Sequence, residues 1–306
     1  MSTCAAASRR DQEPLAGTAA TADTWLLVEQ PGPWGRDALT QSHLDPDLGT
    51  ELQRLTEGTG IRLALIRRYG PHADHHDGAR RRLFLAHTHP GRSWVRTTEV
   101  HGQPHELAAL TPRDYQALGR GDHLDLWEPY EGEPLALVCT NGKRDRCCAL
   151  LGRPLAAELL SAGVGGVWEI THIGGHRFAP TLLVLPFGYA YGRASAPVIK
   201  EALVLAAEGR VLTEGCRGRS AWERPGQAAD LAVRRLTGED REHALTVLGA
   251  TEEEPGHWRV EVAHHDGGQW AVTVRATPSA SDAPASCGAA PGLPDRVEVE
   301  GVLTHA

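Results

Sequence analysis

Three of the six cysteines in this chain fall within ten residues, and that clustering limits the folds and functions open to it. The stretch is CTNGKRDRCC, in which Cys139 is followed by the adjacent pair Cys147 and Cys148. A disulfide framework spreads its cysteines and is usual in small secreted chains, whereas this chain has 306 residues. The clustering therefore favours metal or redox chemistry on a chain that is long enough to bury a large core.

The residues around this stretch predict a small unit of alternating strands and helices. Apolar runs and turn residues give, in chain order, a strand at 134–140, a helix beginning either just after Asp145 or at Pro154, a strand at 166–173, two strands within 180–192 split at Pro186, and a helix at 195–209. The order β-α-β-β-β-α is close to a thioredoxin-like core. Pro180 is predicted to be the cis-proline that begins a strand beside a thioredoxin-type site.

The whole chain is predicted to be α/β (α+β), with its segments distinguished by composition and periodicity. Residues 277–293 are rich in Ala, Ser, Pro and Gly, which indicates flexibility. The predicted parts are a disordered tail at 1–19, an N-terminal α/β part at 20–120, a thioredoxin-like domain at 130–220, a C-terminal helix with β-strands at 221–276, and a mostly flexible tail at 277–306.

The segment THIGGHR adds two histidines four positions apart, His172 and His176, with two glycines between them. Cys139 and His172 are predicted at strand ends and Cys148 near a helix start, and His176 follows His172 closely, so the four side chains are expected to converge at one end of the domain. Two thiolates and two imidazoles form a soft four-ligand set that suits zinc or a [2Fe–2S] cluster. Eight residues separate the cysteines, which is wide for a zinc knuckle without excluding zinc.

Other cysteine chemistries fit the spacing less well. A phosphatase-type loop needs five residues between its cysteine and arginine, but Arg144 follows Cys139 after four. The chain has no Cys-x-x-Cys motif, although a strained disulfide between the two adjacent cysteines stays open. Gly174 and Gly175 would let the backbone approach inorganic sulfurs and donate N–H groups to them.

A family resemblance rests on CTNGKRDRCCALLGRP followed by THIGGHRFAPTLLVLPFGYAYGR. These stretches closely resemble the sucrase/ferredoxin-like family, the thioredoxin-like [2Fe–2S] ferredoxins with mixed Cys/His ligation; the resemblance is strongest over 134–220 and covers most of 20–240. The family pattern of Cys, eight residues, Cys and His-x-x-x-His falls on Cys139, Cys148, His172 and His176. The resemblance implies a [2Fe–2S] cluster with the cysteines on one iron and the histidines on the other, and it turns the side chain of Cys147 away.

We therefore expect a one-electron carrier, with proton coupling through its histidine ligands, rather than an enzyme. No sucrase activity is expected, because no paired carboxylates stand in a glycosidase setting. Lys143, Arg144 and Arg177 are expected to stabilise the reduced cluster or to bind an acidic partner. The alternative is a zinc-binding or thiol-redox protein on the same fold.

Charge and hydropathy narrow the partners and the location. A net charge of −8 argues against a nucleic-acid partner, and no run approaches 18 apolar residues, so no membrane span is expected. The first 23 residues lack the apolar segment of a secretion signal, so we expect a cytoplasmic protein whose partner is a redox protein, a reductase or an acceptor. His72, His75 and His76 lie in a polar stretch and are expected to be solvated.

Overall fold

The computed structural model describes residues 3–70, 80–279, 283–284, 286–287, 289–293 and 295–305. Within these residues the chain is a mixed α and β structure, which confirms the predicted fold class. Its α-helices are α1 (Cys4–Arg10), α2 (Pro46–Thr56), α3 (Pro112–Gly119), α4 (Arg146–Ser161), α5 (Ala196–Ala207) and α6 (Arg224–Thr237). The polar stretch that holds His72, His75 and His76 lies outside the described residues.

The larger sheet has ten strands within the described part of the chain. In chain order they are β1 (Thr24–Glu29), β2 (Ile61–Arg67), β3 (Arg81–His87), β4 (Trp94–Val100), β5 (Glu128–Pro129), β6 (Leu135–Cys139), β7 (Val167–Ile170), β8 (Leu182–Leu185), β9 (Tyr189–Tyr191) and β10 (Cys216–Arg219). Across the sheet they lie in the order β10-β9-β8-β6-β7-β2-β1-β3-β4-β5.

The predicted order β-α-β-β-β-α is confirmed from β6 to α5. Strand β6 is parallel to β7 and antiparallel to β8, which in turn is antiparallel to β9. All five residues of β6 are buried, as a continuous apolar run predicts for a strand covered on both faces. The peptide bond before Pro180 is cis, as the sequence predicts, and β8 begins two residues later.

Helix α4 begins at the first of the two predicted positions. Asp145 caps it by accepting a hydrogen bond from the backbone N–H of Cys147 at 2.8 Å, and Pro154 lies inside the helix. A Cβ at Gly152 would lie 2.2 Å from the carbonyl oxygen of Cys139, so glycine lets α4 pack close to the end of β6. This packing brings the cysteines of the two elements together.

The predicted N-terminal part (20–120) and thioredoxin-like domain (130–220) share one sheet. Strand β2 pairs with β7 in antiparallel fashion, and a hydrophobic core cluster contains residues from both parts. At this junction Arg67 and Glu169 are both buried and form an ion pair, with 2.6 Å between Nε and Oε2. The N-terminal strands therefore widen the sheet that carries the predicted ligands.

The smaller sheet belongs to the C-terminal part and packs against α6. Its strands, in spatial order, are β11 (Leu245–Glu254), β12 (His257–His264), β13 (Gln269–Pro278) and β16 (Asp295–Thr304), while β14 (Ala283–Pro284) and β15 (Pro291–Gly292) form a separate short pair. Helix α6 and strands β11, β12 and β13 correspond to the C-terminal helix and β-strands predicted at 221–276. Alanine and valine side chains form the core between helix and sheet.

Both chain ends differ from the predicted tails. Helix α1 lies inside the segment 1–19, and Cys4 is buried there against Cys147. Strand β16 lies inside the segment 277–306, pairs with β13 along its whole length and buries Val297. The composition of both segments indicates disorder because it does not record long-range contacts. The helix and the strand in these segments are stabilised by contacts with distant parts of the chain.

Candidate metal centre

Three of the four predicted ligands meet at one end of the larger sheet. Cys139 ends β6, Cys148 lies in the first turn of α4, and His172 lies just beyond β7. Because β6 and β7 are parallel and Cys139 is opposite Ile170, the chain leaving β7 carries His172 to the same end of the sheet. The two Sγ atoms and a ring nitrogen of His172 lie within 4.8 Å of one another. Both cysteines are 1% exposed, so the group is shielded from water.

The fourth predicted ligand, His176, lies next to this group rather than within it. Its ring centroid is 4.9 Å from that of His172, and its Nε2 atom is 3.6 Å from Oδ2 of the buried Asp145. The loop between the histidines turns tightly because Gly174 and Gly175 have φ angles of 78° and 69°. Glycine adopts this left-handed conformation without strain, so the loop can keep the two rings in contact.

The two thiols of the group differ in acidity. The pKa of Cys139 lies well below its ordinary value, despite burial, because its sulfur accepts hydrogen bonds from the Cys148 thiol, from His172 and from the N–H of Ile173. The pKa of Cys148 is raised, because its S–H group donates a hydrogen bond to Cys139 and because burial disfavours a second thiolate beside the first. These hydrogen bonds therefore favour a thiolate at Cys139 over one at Cys148.

Two arginines outside the predicted ligand set, the buried Arg217 and the half-buried Arg62, lie near Cys139. Burial lowers the pKa of Arg217 to about 10 and also lowers that of Arg62, while attraction to the Cys139 thiolate opposes both shifts. Arg217 donates from Nη1 to the carbonyl of Gly174 at 3.2 Å, and Arg62 donates from Nη2 to the carbonyl of His172 at 3.4 Å. The arginines inside the strand segments IRLALIR and CRGR were the available signal, since an arginine that packs into a core needs a partner there.

The three predicted cationic residues lie in two places. Lys143 and Arg144 are exposed in the loop before α4, and their backbone N–H groups donate to Oδ1 of Asn141 at 3.2 and 3.3 Å. Arg177 instead forms an ion pair with the buried carboxylate of Glu13. Lys143 and Arg144 therefore present charge to solvent near the site, whereas the charge of Arg177 is already paired.

A surface cleft of about 750 Å³ reaches His172. Its lining includes Arg36, Arg62, Asn141, Arg144, Thr171 and His172. Because both cysteines are buried, the histidine is the member of the group that borders this cleft.

Cys147 belongs to a different group from Cys148. Neighbouring side chains in a helix point about 100° apart, and the Sγ atom of Cys147 lies 3.4 Å from that of Cys4 and 3.0 Å from that of Cys287. Asp145 completes this second group. No local spacing in the sequence links these cysteines, because Cys4 and Cys287 lie 143 and 140 positions from Cys147.

The first group fits a metal centre with thiolate and imidazole ligands. The Nδ1 atom of His172 is buried and has no hydrogen-bond partner within the described ranges, a costly state unless a ligand occupies that position. Sulfur and imidazole donors suit zinc or an iron–sulfur cluster better than magnesium or calcium. The residues present can therefore hold either group.

Comparison with known proteins identifies a family. The family model described as sucrase/ferredoxin-like matches residues 15–218, a range that includes the four predicted ligands, Arg62 and Arg217. No curated protein and no solved structure matches the chain. In the part of the chain that the structure describes, every helix is too short or too polar to cross a lipid bilayer.

Proposed function

Because the chain belongs to the sucrase/ferredoxin-like family, we propose that it is an electron-transfer protein that binds a [2Fe–2S] cluster through Cys139, Cys148, His172 and His176. The observation that carries this proposal is the approach of donor atoms from the two cysteines and His172 to within 4.8 Å. When bound, such a cluster accepts and releases one electron at a time, at a potential set by its ligands and surroundings.

In this proposal the cysteines bind one iron and the histidines bind the other. Cys139 supplies a thiolate that its neighbours already stabilise, whereas Cys148 must lose its proton when the metal binds. The contact between the rings of His172 and His176 supports assigning both to the same iron. The buried position of the thiols keeps water away from the ligand bonds.

Arg62 and Arg217 are proposed to make reduction easier. A negative charge added at the site is attracted by both guanidinium groups, and that of Arg217, which is fully buried, is the more strongly shielded from solvent. Neutral imidazole ligands act in the same direction, because they leave less negative charge on the iron than thiolates do. Both effects raise the reduction potential above that of an all-cysteine cluster.

The cleft beside His172 supports a docking position for the redox partner. Arg36, Arg62 and Arg144 outnumber Asp37 and Glu57 in its lining, which leaves a small positive charge next to the histidine that borders it. We propose that a partner reductase or acceptor presents an acidic edge to this cleft and exchanges electrons on the histidine side. All six cysteines are free thiols, which suits a reducing compartment and supports a cytoplasmic location.

A zinc-binding or thiol-redox protein is the second candidate. The same convergent thiols and imidazole also suit a zinc ion, and the contrast in acidity between Cys139 and Cys148 is typical of reactive thiol pairs. Either of these functions predicts a protein without iron, whereas the first candidate contains iron.

Anaerobic purification from an iron-replete host separates the two candidates. We expect a coloured protein that contains iron and inorganic sulfide in equal amounts and gives a rhombic EPR signal after reduction. A colourless, iron-free protein that folds normally by circular dichroism contradicts the proposal and favours the second candidate.

A further inference from the structure

A second group of thiols lies beside the first turn of α4. The Sγ atom of Cys4 is 3.4 Å from that of Cys147 and 3.5 Å from that of Cys287, and the latter two atoms are 3.0 Å apart. The carboxylate of Asp145 adjoins this triangle, with its oxygens 3.8 and 3.9 Å from Sγ of Cys4. None of the three cysteines is in a disulfide, and none belongs to the ligand set proposed above.

The separations suit a tetrahedral metal ion better than a disulfide. A disulfide joins two sulfurs and leaves the third without a role, whereas all three sulfurs are in mutual contact. Zinc–sulfur bonds of about 2.3 Å place the sulfurs of a tetrahedral site about 3.8 Å apart, which is close to the separations in this group. An aspartate oxygen can occupy the fourth position.

We propose that Cys4, Cys147, Cys287 and Asp145 bind a structural zinc ion at a site distinct from the [2Fe–2S] site. Four protein ligands leave no open position, so the ion would stabilise the fold rather than catalyse a reaction. The carboxylate of Asp145 is oriented for this role by the backbone N–H groups of Cys147 and Cys287, each 2.8 Å from one of its oxygens.

The charge of the group also favours a divalent cation. Burial alone raises the pKa of Asp145, but the N–H groups of Cys287 and Cys147 and the neighbouring His176 keep it below its ordinary value, so the carboxylate is ionised. Burial raises the pKa values of Cys4 and Cys287, so zinc must displace their protons when it binds.

Zinc at this position would fasten both ends of the chain to the element that carries Cys148. Cys4 belongs to α1 and Cys287 to the segment before β16, while Cys147 is the direct neighbour of Cys148. The proposed zinc site does not depend on which metal group the first site binds, because neither Cys139 nor Cys148 is one of its ligands.

Metal analysis of three variants tests this site. Zinc and iron per chain are measured by mass spectrometry of wild type, Cys4→Ala, Cys287→Ala and the control Cys216→Ala, all purified anaerobically with added zinc and washed with a mild chelator. Cys216 is a buried free cysteine of β10 outside the second thiol group, so it controls for the loss of any buried thiol. We expect a single zinc ion in wild type and in the control, and a loss of at least tenfold in both other variants with iron retained.

X-ray absorption at the zinc edge provides a test that needs no variant. Three sulfur neighbours and one oxygen neighbour per zinc are expected for the wild-type protein. Two sulfurs and two nitrogens would place the zinc at Cys139 and Cys148 instead and overturn this proposal, as would zinc content unchanged in Cys4→Ala and Cys287→Ala. Zinc without iron would contradict the proposed electron-transfer function alone, so the two proposals can fail separately.

Discussion

The two thiol groups share the first turn of α4 but are assembled in different ways. The group of Cys139, Cys148 and His172 comes from consecutive elements of one sheet, within 34 residues of chain. The group of Cys4, Cys147 and Cys287 unites both ends of the chain with that same turn. Adjacent cysteines in a helix can therefore serve separate sites, because their side chains diverge by about 100°.

The surroundings of the two groups also differ. The buried Arg217 and the half-buried Arg62 lie near the first group, where burial lowers their pKa values and attraction to Cys139 opposes that shift. The second group has a buried carboxylate beside the thiols of Cys4 and Cys287, whose pKa values are raised. In the two proposals, nearby cations help the first centre to accept an electron, whereas the second group suits a divalent cation that displaces the thiol protons when it binds.

The largest expected effect separates the two adjacent cysteines. Cys148→Ala should abolish iron binding, because it removes one of two thiolate ligands, while Cys147→Ala should retain the iron and its spectrum and lose zinc. Iron and zinc contents and the visible spectrum measure both outcomes. Loss of iron from both variants would show that the two groups are not independent.

A second prediction concerns the loop that holds the histidines. Gly175→Ala places a Cβ at a φ of 69° and 1.9 Å from Nη2 of Arg217, so the free energy of unfolding should fall by about 3 kcal/mol. The control is Gly163→Ala, where φ is 81° but no atom lies within 4 Å of the added Cβ. The control should lose only about 1 kcal/mol in urea unfolding. Equal losses would mean that the contact with Arg217 does not constrain the loop.

A third prediction sharpens the role of the histidines. His172→Cys and His176→Cys should keep a cluster but lower its reduction potential by on the order of 100 mV, since each adds a negative charge beside the iron. Redox titration followed by EPR measures the shift. An unchanged potential in both variants would mean that neither histidine is a ligand.

The smallest expected effect concerns the pH dependence of stability at a residue outside both thiol groups. Burial lowers the pKa of His87, at the end of β3, to about 4 from an ordinary value of 6.5. The folded state therefore favours the neutral ring. The contribution of His87 to the free energy of unfolding is complete above about pH 6.5 and is lost progressively towards pH 4, because the unfolded chain takes up a proton in this range. We expect a decrease of about 2 kcal/mol across this range. His87→Leu should flatten that slope in urea unfolding of metal-depleted protein, and an unchanged slope would assign the acid sensitivity to other groups.

The elements of the sheet could be read from the sequence because each carries its own signal. The apolar run of β6 and the proline-led start of α5 are local patterns, and both lie where they were expected. The spacing of Cys139 and Cys148 is likewise a local pattern. It places one cysteine at the end of a strand and the other at the start of the next helix, so the two lie close together.

The rest depended on contacts between distant residues. Cys4 and Cys287 lie in segments whose composition indicates disorder, so only the folded chain brings them to Cys147. In the sequence Arg217 is one of 31 lysines and arginines and has no distinguishing pattern. Only the packing of β10 buries it beside the loop that contains Gly174. The junction of β2 with β7 is similarly invisible to periodicity, because pairing partners are not encoded in the pattern of a single strand.

The central claim is that cysteines and histidines together hold an iron–sulfur cluster. Pulsed EPR of the reduced protein, prepared with ¹⁵N-labelled histidine, tests it most directly because only nitrogen bonded to iron couples strongly to the electron spin. We predict strong couplings from two histidine nitrogens, with one lost in each of the variants His172→Cys and His176→Cys. A reduced cluster without strong histidine coupling, or a protein that yields no cluster signal at all, would contradict the account.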